Sequence, residues 1–481
     1  MEQPKAAPTP PTGSAASDVL TTEVRRHDRR DRFTLRVIGV EPLARLLATG
    51  IAIALRLGLG ALADLVFPTQ LRRQRREARR VRATESLVAT LGVLKGAFVK
   101  AGQFASVRHD LLPAGAEPVL ATLQQNVPPL RFELAQRVIE RDLGQPLAQL
   151  FRHVEREPIG AASVAQVHRA RLFDGSEVAV KVQYPWIEAS LPADLRLIRA
   201  GVRLLARWRG RRGFEPDHLV DEFAEGLRDE LDFRREADAA EEIAHNLRDT
   251  PGIVVPDVIH SHSGTRVLTV SYHPTLSLAD RAALVSRGID TRRVLERIAH
   301  AYAKQVFVDG HFHADPHPGN VFVLDEPGVE SDPRILFVDF GLCRRLDPEL
   351  RRRIRAGIHA LIQRDIEGFL SRMDEMGMIA PGAHDGIRAA VAEMFERIAQ
   401  TAGAGIGGAL GIAGSQVLSL KDEAKALLRD TPGLQLPNDL LLYAKTLAYL
   451  FALGEALDPE TDLLKLSLPY VLRFLAERDD S

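Results

Sequence analysis

Three segments of the chain carry side chains suited to binding phosphates and a divalent cation. The run VAVK ends in Lys181, HADPHPGN contains Asp315 and Asn320, and VDFG contains Asp339. Phosphoryl transfer needs a cation on the phosphates, oxygen ligands for magnesium and a carboxylate beside the nucleophile. We predict that Lys181 binds the α- and β-phosphates and that Asp315 lies beside the nucleophile. Asn320 and Asp339 are the predicted Mg2+ ligands.

The order and spacing of these residues are those of a protein kinase. A strand lysine comes first, a catalytic loop with Asp and Asn five residues apart follows, and an Asp-Phe-Gly run comes last. One such match occurs easily by chance, whereas three in order at workable distances seldom do. The pattern predicts an ATP-dependent phosphotransferase or ATPase that uses Mg2+.

Strands and helices must position these residues. The hairpin signal Asp174-Gly175 predicts two strands, and the second of them, EVAVKVQ, carries Lys181. The runs VFVL and ILFV predict a strand pair that brings Asp339 back beside Asn320. Strands are also expected over 258–272, helices over 84–150, 217–248 and 291–309, and helices throughout the chain after residue 347. A chain whose predicted strands come first and whose predicted helices dominate later is typical of an α+β fold. We predict a two-lobed, protein-kinase-like architecture with a sheet-bearing lobe over 151–275 and a helical lobe over 276–481.

Composition limits the class of protein. The chain has 481 residues, more than one hydrophobic core usually organises, so two lobes are expected. Its 63 basic and 64 acidic residues give no net field that would favour nucleic acid. The single cysteine, Cys343, cannot form an internal disulfide and suits the reducing cytoplasm.

The N-terminal region combines apolar and basic residues. Residues 1–33 are predicted to be a disordered tail, and 34–83 an apolar and basic segment. Its run 46–63 is long enough to cross a bilayer but carries Arg56, so a helix on a surface or packed in protein is favoured over a span. Seven arginines follow between Arg72 and Arg82. They are interpreted either as a solvated helix face, with the acidic run 221–232 as one internal partner, or as a peripheral anchor on the anionic inner face of the membrane.

The predicted nucleotide loop departs from the ordinary kinase pattern. Where a G-x-G-x-x-G loop would stand, the chain reads PIGAASVAQVH, with Ala161, Ala162 and Ser163 in the turn. Together with VKAGQ and HADPHPGN, this loop resembles the UbiB/AarF (ADCK-type) atypical kinases, a family linked to ubiquinone biosynthesis. The resemblance extends over roughly residues 85–470, including the ELDFRREA run and LPNDLLLYAKTLAYL.

The resemblance implies roles for further residues. Residues 84–150 would form a helical extension over the active site, with Lys100 and Gln103 directed at it and Glu230 pairing with Lys100. Glu236 would be the partner of Lys181. The implied function is a Mg-ATP-dependent ATPase or phosphotransferase that supports isoprenoid quinone biosynthesis or lipid homeostasis, with a quinone precursor or other lipid as partner. Gln125 stands where the family commonly has an acid, which puts one contact in doubt.

Other classes of function remain open. The run HFHADPH offers imidazoles and a carboxylate in a zinc-like pattern, but Pro316 displaces the last histidine and no second cluster follows; packing roles are favoured for these histidines. A non-catalytic scaffold that binds nucleotide or lipid, and a protein kinase, are the alternatives to a small-molecule phosphotransferase. The glycine-rich segment 401–418 is interpreted as a lid, a lipid contact or a flexible connection.

Overall fold

The computed structural model describes residues 40–64, 69–107, 130–209, 216–402, 431, 433–434 and 437–477. The predicted tail 1–33, Gln125 and nearly all of the glycine-rich segment 401–418 lie outside the described residues. The chain divides into two compact units. The first unit comprises the described residues within 40–106, 130–232 and 262–269, and the second comprises 233–261 and the described residues from 270 onward. The lobe boundaries given by the sequence stay predictions.

The first unit contains an antiparallel sheet and seven helices among its described residues. The helices are α1 Val40–Ala63, α2 Thr69–Leu94, α3 Ala97–Val107, α4 Phe132–Leu143, α5 Leu147–Leu150, α6 Ile187–Arg209 and α7 Pro216–Glu230. The strands are β1 His153–Val154, β2 Gly160–Ala161, β3 Ala165–Arg171, β4 Glu177–Gln183 and β6 Val267–Ser271, whose last two residues belong to the second unit. Helix α6 was not predicted from the sequence.

The predicted hairpin around Asp174-Gly175 forms the centre of the sheet. Its strand order is β1-β3-β4-β6, with β2 also paired to β3. Gly175 has a φ of 94°, a left-handed conformation that glycine adopts without steric cost. Val178, Val180 and Val182 alternate into the core, and burying these β-branched side chains stabilises the sheet. The alternation leaves Lys181 on the other face.

Helices α1 and α2 form an antiparallel hairpin. Asp64 is 1% exposed and accepts hydrogen bonds from Arg75 and Arg79, and farther along Arg56 donates to Ser86 over 3.3 Å. The arginine run therefore has an internal carboxylate partner that the sequence analysis did not identify. Helix α2 also continues through the boundary predicted at 83/84.

The outer side of α1 remains apolar and exposed. Leu43, Leu47, Ile51, Leu55 and Leu59 recur every fourth residue and are 43–65% exposed. We call these five residues the apolar stripe. Within the described residues, two helices are long and apolar enough to cross a membrane, in α1 at Val40–Gly60 and in the second unit at Asp439–Leu457. The α1 window is unburied, whereas 28% of the other is buried.

The second unit carries two small sheets and eight α-helices among its described residues. Its described helices are α8 Phe233–Leu247, α9 Arg281–Ser286, α10 Thr291–Ala303, α11 Pro348–Gln363, α12 Ile366–Glu375, α13 His384–Ala402, α14 Asn438–Leu457 and α15 Leu463–Ala476. Its strands are β5 Ile253–Val254, β7 Thr275–Ser277, β8 His311–His313, β9 Val321–Leu324, β10 Ile335–Phe337 and β11 Cys343–Arg345. One sheet has the order β5-β10-β9-β7, and β8 pairs with β11.

The strand pair predicted from VFVL and ILFV is present as β9 and β10. Val321 pairs with Phe337, and both are fully buried in the main core of this unit together with Ile298 and Tyr302. Asp290 caps α10 by accepting hydrogen bonds from the amides of Arg292 and Arg293. The pair fixes the start of β9 opposite the end of β10.

Two local predictions differ from the structure. The expected continuous helix 217–248 is two helices, because α7 ends at Glu230 and the carbonyl of Leu231 accepts a hydrogen bond from Gln183. The expected strand over 258–262 is wrong. Residues His260–His262 form a short 3-10 helix, and Val258 alone makes an isolated bridge to Val270.

Candidate active site

The loop from β8 to β9 brings three predicted site residues together in the second unit. The side-chain amide of Asn320 donates to the Asp315 carbonyl over 3.1 Å, so the loop closes on itself. The amide of Val338 donates to the carbonyl of Asn320 over 2.9 Å. Because Asp339 follows Val338 directly, the strand pair places Asp339 next to Asn320. The predicted return of Asp339 to this loop is present in the structure.

A buried histidine joins the catalytic loop to the Asp339 segment. His313 is fully buried, and its Nε2 lies 3.1 Å from the Val338 carbonyl and 3.0 Å from the Asp339 carbonyl. Its Nδ1 lies 3.3 Å from the Asp315 amide, which donates to it. Burial lowers the pKa of His313, which favours the neutral ring. A neutral ring with Nε2–H donating and Nδ1 accepting satisfies all three contacts.

The carboxylate of Asp315 faces two nitrogen bases. Lys445 on α14 donates to Oδ1 over 2.9 Å, and Nε2 of His317 lies 3.6 Å from Oδ2. Burial raises the pKa of Asp315, but Lys445 and then His317 outweigh that effect and leave the pKa below its ordinary value. Sequence reasoning did not single out Lys445. The signal was present, because it is the only basic residue in the apolar run LPNDLLLYAKTLAYL.

The donor set at Asn320 and Asp339 suits magnesium. Asn320 is 4% exposed and uses its amide nitrogen on Asp315, so its side-chain oxygen is the atom left for a cation. Carboxylate and amide oxygens are the ligands that Mg2+ prefers. Asp339 has φ 63° and ψ 69°, an uncommon backbone conformation for a residue with a Cβ. This turn directs the chain away from β10 immediately after the predicted metal ligand.

The histidines of HFHADPH have structural contacts. Nδ1 of His311 lies 3.3 Å from Glu242, which also forms an ion pair with Arg345, and His313 holds the loop as described. Within the described residues, there is no group of three or more His, Cys, Asp or Glu side chains arranged to hold a metal. The contacts agree with packing and hydrogen-bonding roles for these histidines.

In the first unit, Lys181 lies in one row with the alanine-rich hairpin. Val167 of β3 pairs with Lys181 on one side and with Gly160 on the other. The hairpin closes tightly, since the amide of Ala162 donates to the Ala165 carbonyl over 2.7 Å. Lys181 therefore lies two strands away from the predicted nucleotide loop, within the same sheet.

The turn of the alanine-rich hairpin is held by protein groups. The carbonyl of Ser163 accepts from the amide of Gly96 over 3.0 Å, and the hydroxyl of Tyr184 donates to the Ala162 carbonyl over 3.0 Å. Nζ of Lys95 lies 4.9 Å from the centre of the Tyr184 ring. The residues just before α3 thus fix the hairpin of the same unit.

The first unit also contains the ion pair implied by the resemblance. Lys100 on α3 pairs with Glu230 at the end of α7, and both side chains are partly exposed. Gln103 lies one helical turn beyond Lys100 on α3. Glu236 is 5% exposed on α8 of the second unit, and its pairing with Lys181 stays a prediction.

The chain is similar to known atypical kinases over most of its length. A family model described as the ABC1 atypical kinase-like domain matches residues 122–373. The probable protein kinase UbiB of Aeromonas hydrophila is 33% identical over 384 residues, which cover 79% of this chain and 68% of that protein. The protein of the same name from Marinobacter nauticus is 31% identical over 387 residues, which cover 79% and 68% of the two chains.

One solved structure is similar over most of the chain. The complex of Rv3197 with erythromycin from Mycobacterium tuberculosis is 26% identical, with a TM-score of 0.52, and the match covers 82% of this chain and 97% of that one. With the family match, this likeness confirms the predicted kinase-like α+β fold.

Proposed function

The chain belongs to the ABC1 family of atypical kinases, and on that premise we propose that it binds Mg-ATP and transfers the terminal phosphoryl group to an acceptor or to water. The observation that carries the proposal is the linked arrangement of Asp315, Asn320 and Asp339 in the second unit. These residues supply a carboxylate for the nucleophile and oxygen ligands for a cation.

Each residue has a distinct role in the proposed reaction. Asn320 and Asp339 would hold the magnesium ion, which when bound would supply positive charge to the phosphate oxygens. Lys181 is the proposed cation for the α- and β-phosphates, and Ala161 to Ser163 form the nucleotide loop. The bond from the γ-phosphorus to the bridging oxygen breaks with its electron pair on ADP, while a water or hydroxyl oxygen bonds to phosphorus.

The low pKa of Asp315 affects when the nucleophile loses its proton. An ionised carboxylate held by Lys445 is a weak base. It therefore orients the nucleophile through a hydrogen bond and removes little of the nucleophile's proton before the transition state. The transition state of phosphoryl transfer is loose and needs little help from a strong base. The proton of the nucleophile is released to the phosphate product or to solvent after the bond has formed.

A lipid-related function at a membrane is the second part of the proposal. The names of the UbiB relatives and the exposed apolar stripe support isoprenoid quinone biosynthesis or lipid homeostasis as the biological setting. We place the protein on the cytoplasmic face of the membrane as a peripheral protein, with a quinone precursor or another lipid as partner.

The test of the proposed function is ATP hydrolysis by the full chain with Mg2+. Asp339→Asn should lower kcat by at least about 100-fold, because a neutral amide cannot hold the cation as the carboxylate does. The matched control is Asp385→Asn, at an exposed position of α13, which should leave turnover unchanged. ATP hydrolysis by Asp339→Asn at the parent rate would rule the mechanism out. Binding of Mg-ATP by the parent without turnover, with quinone precursors or anionic liposomes present, would identify a nucleotide-binding scaffold instead.

A further inference from the structure

The segment that carries Asp315 contains no cationic side chain of its own apart from histidines. Residues 311–324 read HFHADPHPGNVFVL and include neither Lys nor Arg. A phosphoryl group transferred beside Asp315 carries several negative oxygens that need positive charge nearby. In the second unit, the cationic side chain that contacts Asp315 lies outside this segment, at Lys445 on α14.

The ion pair of Lys445 is largely removed from water, which gives it little net stabilising effect on the fold. Its side chain is 16% exposed, that of Asp315 is 17% exposed, and Nζ also lies 5.4 Å from the centre of the Tyr449 ring. Replacing a buried ion pair by apolar residues of similar size is often neutral or stabilising. Helix α14 is otherwise strongly apolar, so packing alone gives no reason for a lysine there.

The position of Lys445 is fixed by the packing of α14. The ring of Tyr443 meets Phe312 of β8 edge to face at 6.1 Å, and Leu450, Leu453 and Leu457 enter the main core of the second unit. The helix backbone is therefore anchored on both sides of Lys445, while four methylene groups leave the ammonium room to move. Such a lysine can contact a second anionic partner nearby without movement of the helix.

We propose that Lys445 is a catalytic residue that donates to the transferred phosphoryl group, a proposal that rests on the function proposed above. In the unliganded protein Asp315 neutralises its ammonium at 2.9 Å. A nucleophile hydrogen-bonded to Asp315 stands about 3 Å from the carboxylate, so the phosphorus it attacks comes within reach of Nζ. The ammonium of Lys445 has three N–H donors, so it then donates to a phosphoryl oxygen while it keeps its contact with Asp315, and it stabilises the charge that develops there.

The experiment compares kcat and KM for ATP hydrolysis by the full chain and its variants. Lys445→Met should lower kcat by at least about 100-fold and change KM for Mg-ATP less than about threefold, since the contact strengthens in the transition state. Lys445→Arg should recover kcat to within about tenfold of the parent. Lys465→Met, at an exposed lysine on α15, is the matched control and should behave as the parent.

A double variant separates phosphate binding from a mere positioning role. If Lys445 acted only by holding Asp315, Lys445→Met would cost nothing further in an Asp315→Asn background. A further loss of at least about tenfold is expected if Lys445 contacts the phosphoryl group. Kinetics of Lys445→Met within threefold of the parent, or a loss that disappears in the Asp315→Asn background, would overturn the proposal.

Two measurements keep the result clear of misfolding and of the proposed function itself. Thermal unfolding will show whether Lys445→Met is folded at the assay temperature, since Asp315 loses its ion-pair partner in that variant. Binding of Mg-ATP should be unchanged, which would show that lost turnover reflects chemistry. Where that variant does not fold, Lys445→Gln and Lys445→Arg carry the same comparison. A parent that hydrolyses ATP and an unaffected Lys445→Met variant refute only the role of Lys445, whereas an inactive parent refutes the proposed function and this role with it.

Discussion

Gln166 and His168 show how single polar residues of the family motif serve the fold. The Gln166 side chain accepts from the Leu130 amide over 2.7 Å and donates to Nε2 of His168 over 2.8 Å. Nδ1 of His168 donates to the Glu155 carbonyl over 2.8 Å. Both residues are almost fully buried, so the neutral form of His168 is needed to accept from Gln166. Gln166 and His168 therefore connect β3 to Leu130, two residues before α4, and to Glu155.

This network predicts an acid-sensitive first unit. Burial lowers the pKa of His168 below its unfolded value of about 6.5, so the unfolded chain binds the proton more readily. Stability should therefore be complete above pH 6.5 and fall as the pH drops toward the folded pKa, by at most about 1.4 kcal/mol per pH unit for this one group. Denaturant unfolding from pH 8 to 5 measures it. The difference between parent and His168→Gln isolates His168, because the other buried histidines remain in both.

In that comparison His168→Gln should be less stable than the parent at pH 8 but should lose less stability on acidification. His153→Gln, at an exposed position on β1 of the same unit, is the control and should keep the parent slope. Parallel pH curves for the parent and His168→Gln would show that His168 does not titrate as proposed.

The residues that sequence could and could not predict differ in how their partners are specified. Asp315, Asn320 and Asp339 follow from local spacing and from a strand pair that turn residues and β-branched side chains predict. The partners of Lys445 and Asp64 do not, because each pairing depends on how a helix packs on another element, which is the β8–β9 loop for Lys445 and the neighbouring helix α2 for Asp64. Hydrophobic periodicity gives the face of a helix but not the atom that a charged side chain meets.

At the scale of elements, α3 is attached to α7 by two contacts on one face. Phe104 meets Phe223 with ring centres 5.6 Å apart, and one turn earlier Lys100 pairs with Glu230. The break after Glu230 matters here, because in a continuous helix the carbonyl of Leu231 would bond within the helix and would not accept from Gln183. Gln183, two residues after Lys181 on β4, holds the carbonyl of Leu231 and fixes that break. The strand that carries Lys181 and the helix that carries Glu230 are thus tied together in the first unit.

This attachment predicts the local stability of α3. Glu230→Gln removes the ion pair and should cost about 0.5–1 kcal/mol, the range for a partly exposed pair. Hydrogen exchange of the amides in Ala97–Val107 should accelerate about two- to fivefold, since these amides are released by local opening. Glu225→Gln, at an exposed position of the same helix α7, should leave the exchange rates as they are. Equal exchange in both variants would show that the ion pair does not hold α3.

At the scale of the whole molecule, the α1–α2 hairpin combines two features that suit a membrane surface. The apolar stripe of α1 is exposed. On α2, three arginines of the run pair with Asp64, and Arg82 is exposed farther along the helix. A chain of net charge −1 has no general attraction to anionic lipid, so binding would depend on this local charge. Insertion of apolar side chains and attraction of arginines should then act together.

The prediction is that the full chain sediments with anionic vesicles through the apolar stripe. Leu47→Gln, Ile51→Gln and Leu55→Gln together should lower the partition coefficient by about 100-fold, because each removes on the order of 1 kcal/mol of insertion free energy. Added salt should weaken the parent by screening the arginines. A control with Leu204→Gln, Val285→Gln and Leu472→Gln changes three exposed apolar residues elsewhere and should bind as the parent does. Equal sedimentation of both triple variants, or no sedimentation of the parent at low salt, would refute attachment through the stripe. Binding that resists high salt yet is lost with the stripe would instead favour insertion of α1 across the bilayer, since apolar burial is insensitive to screening.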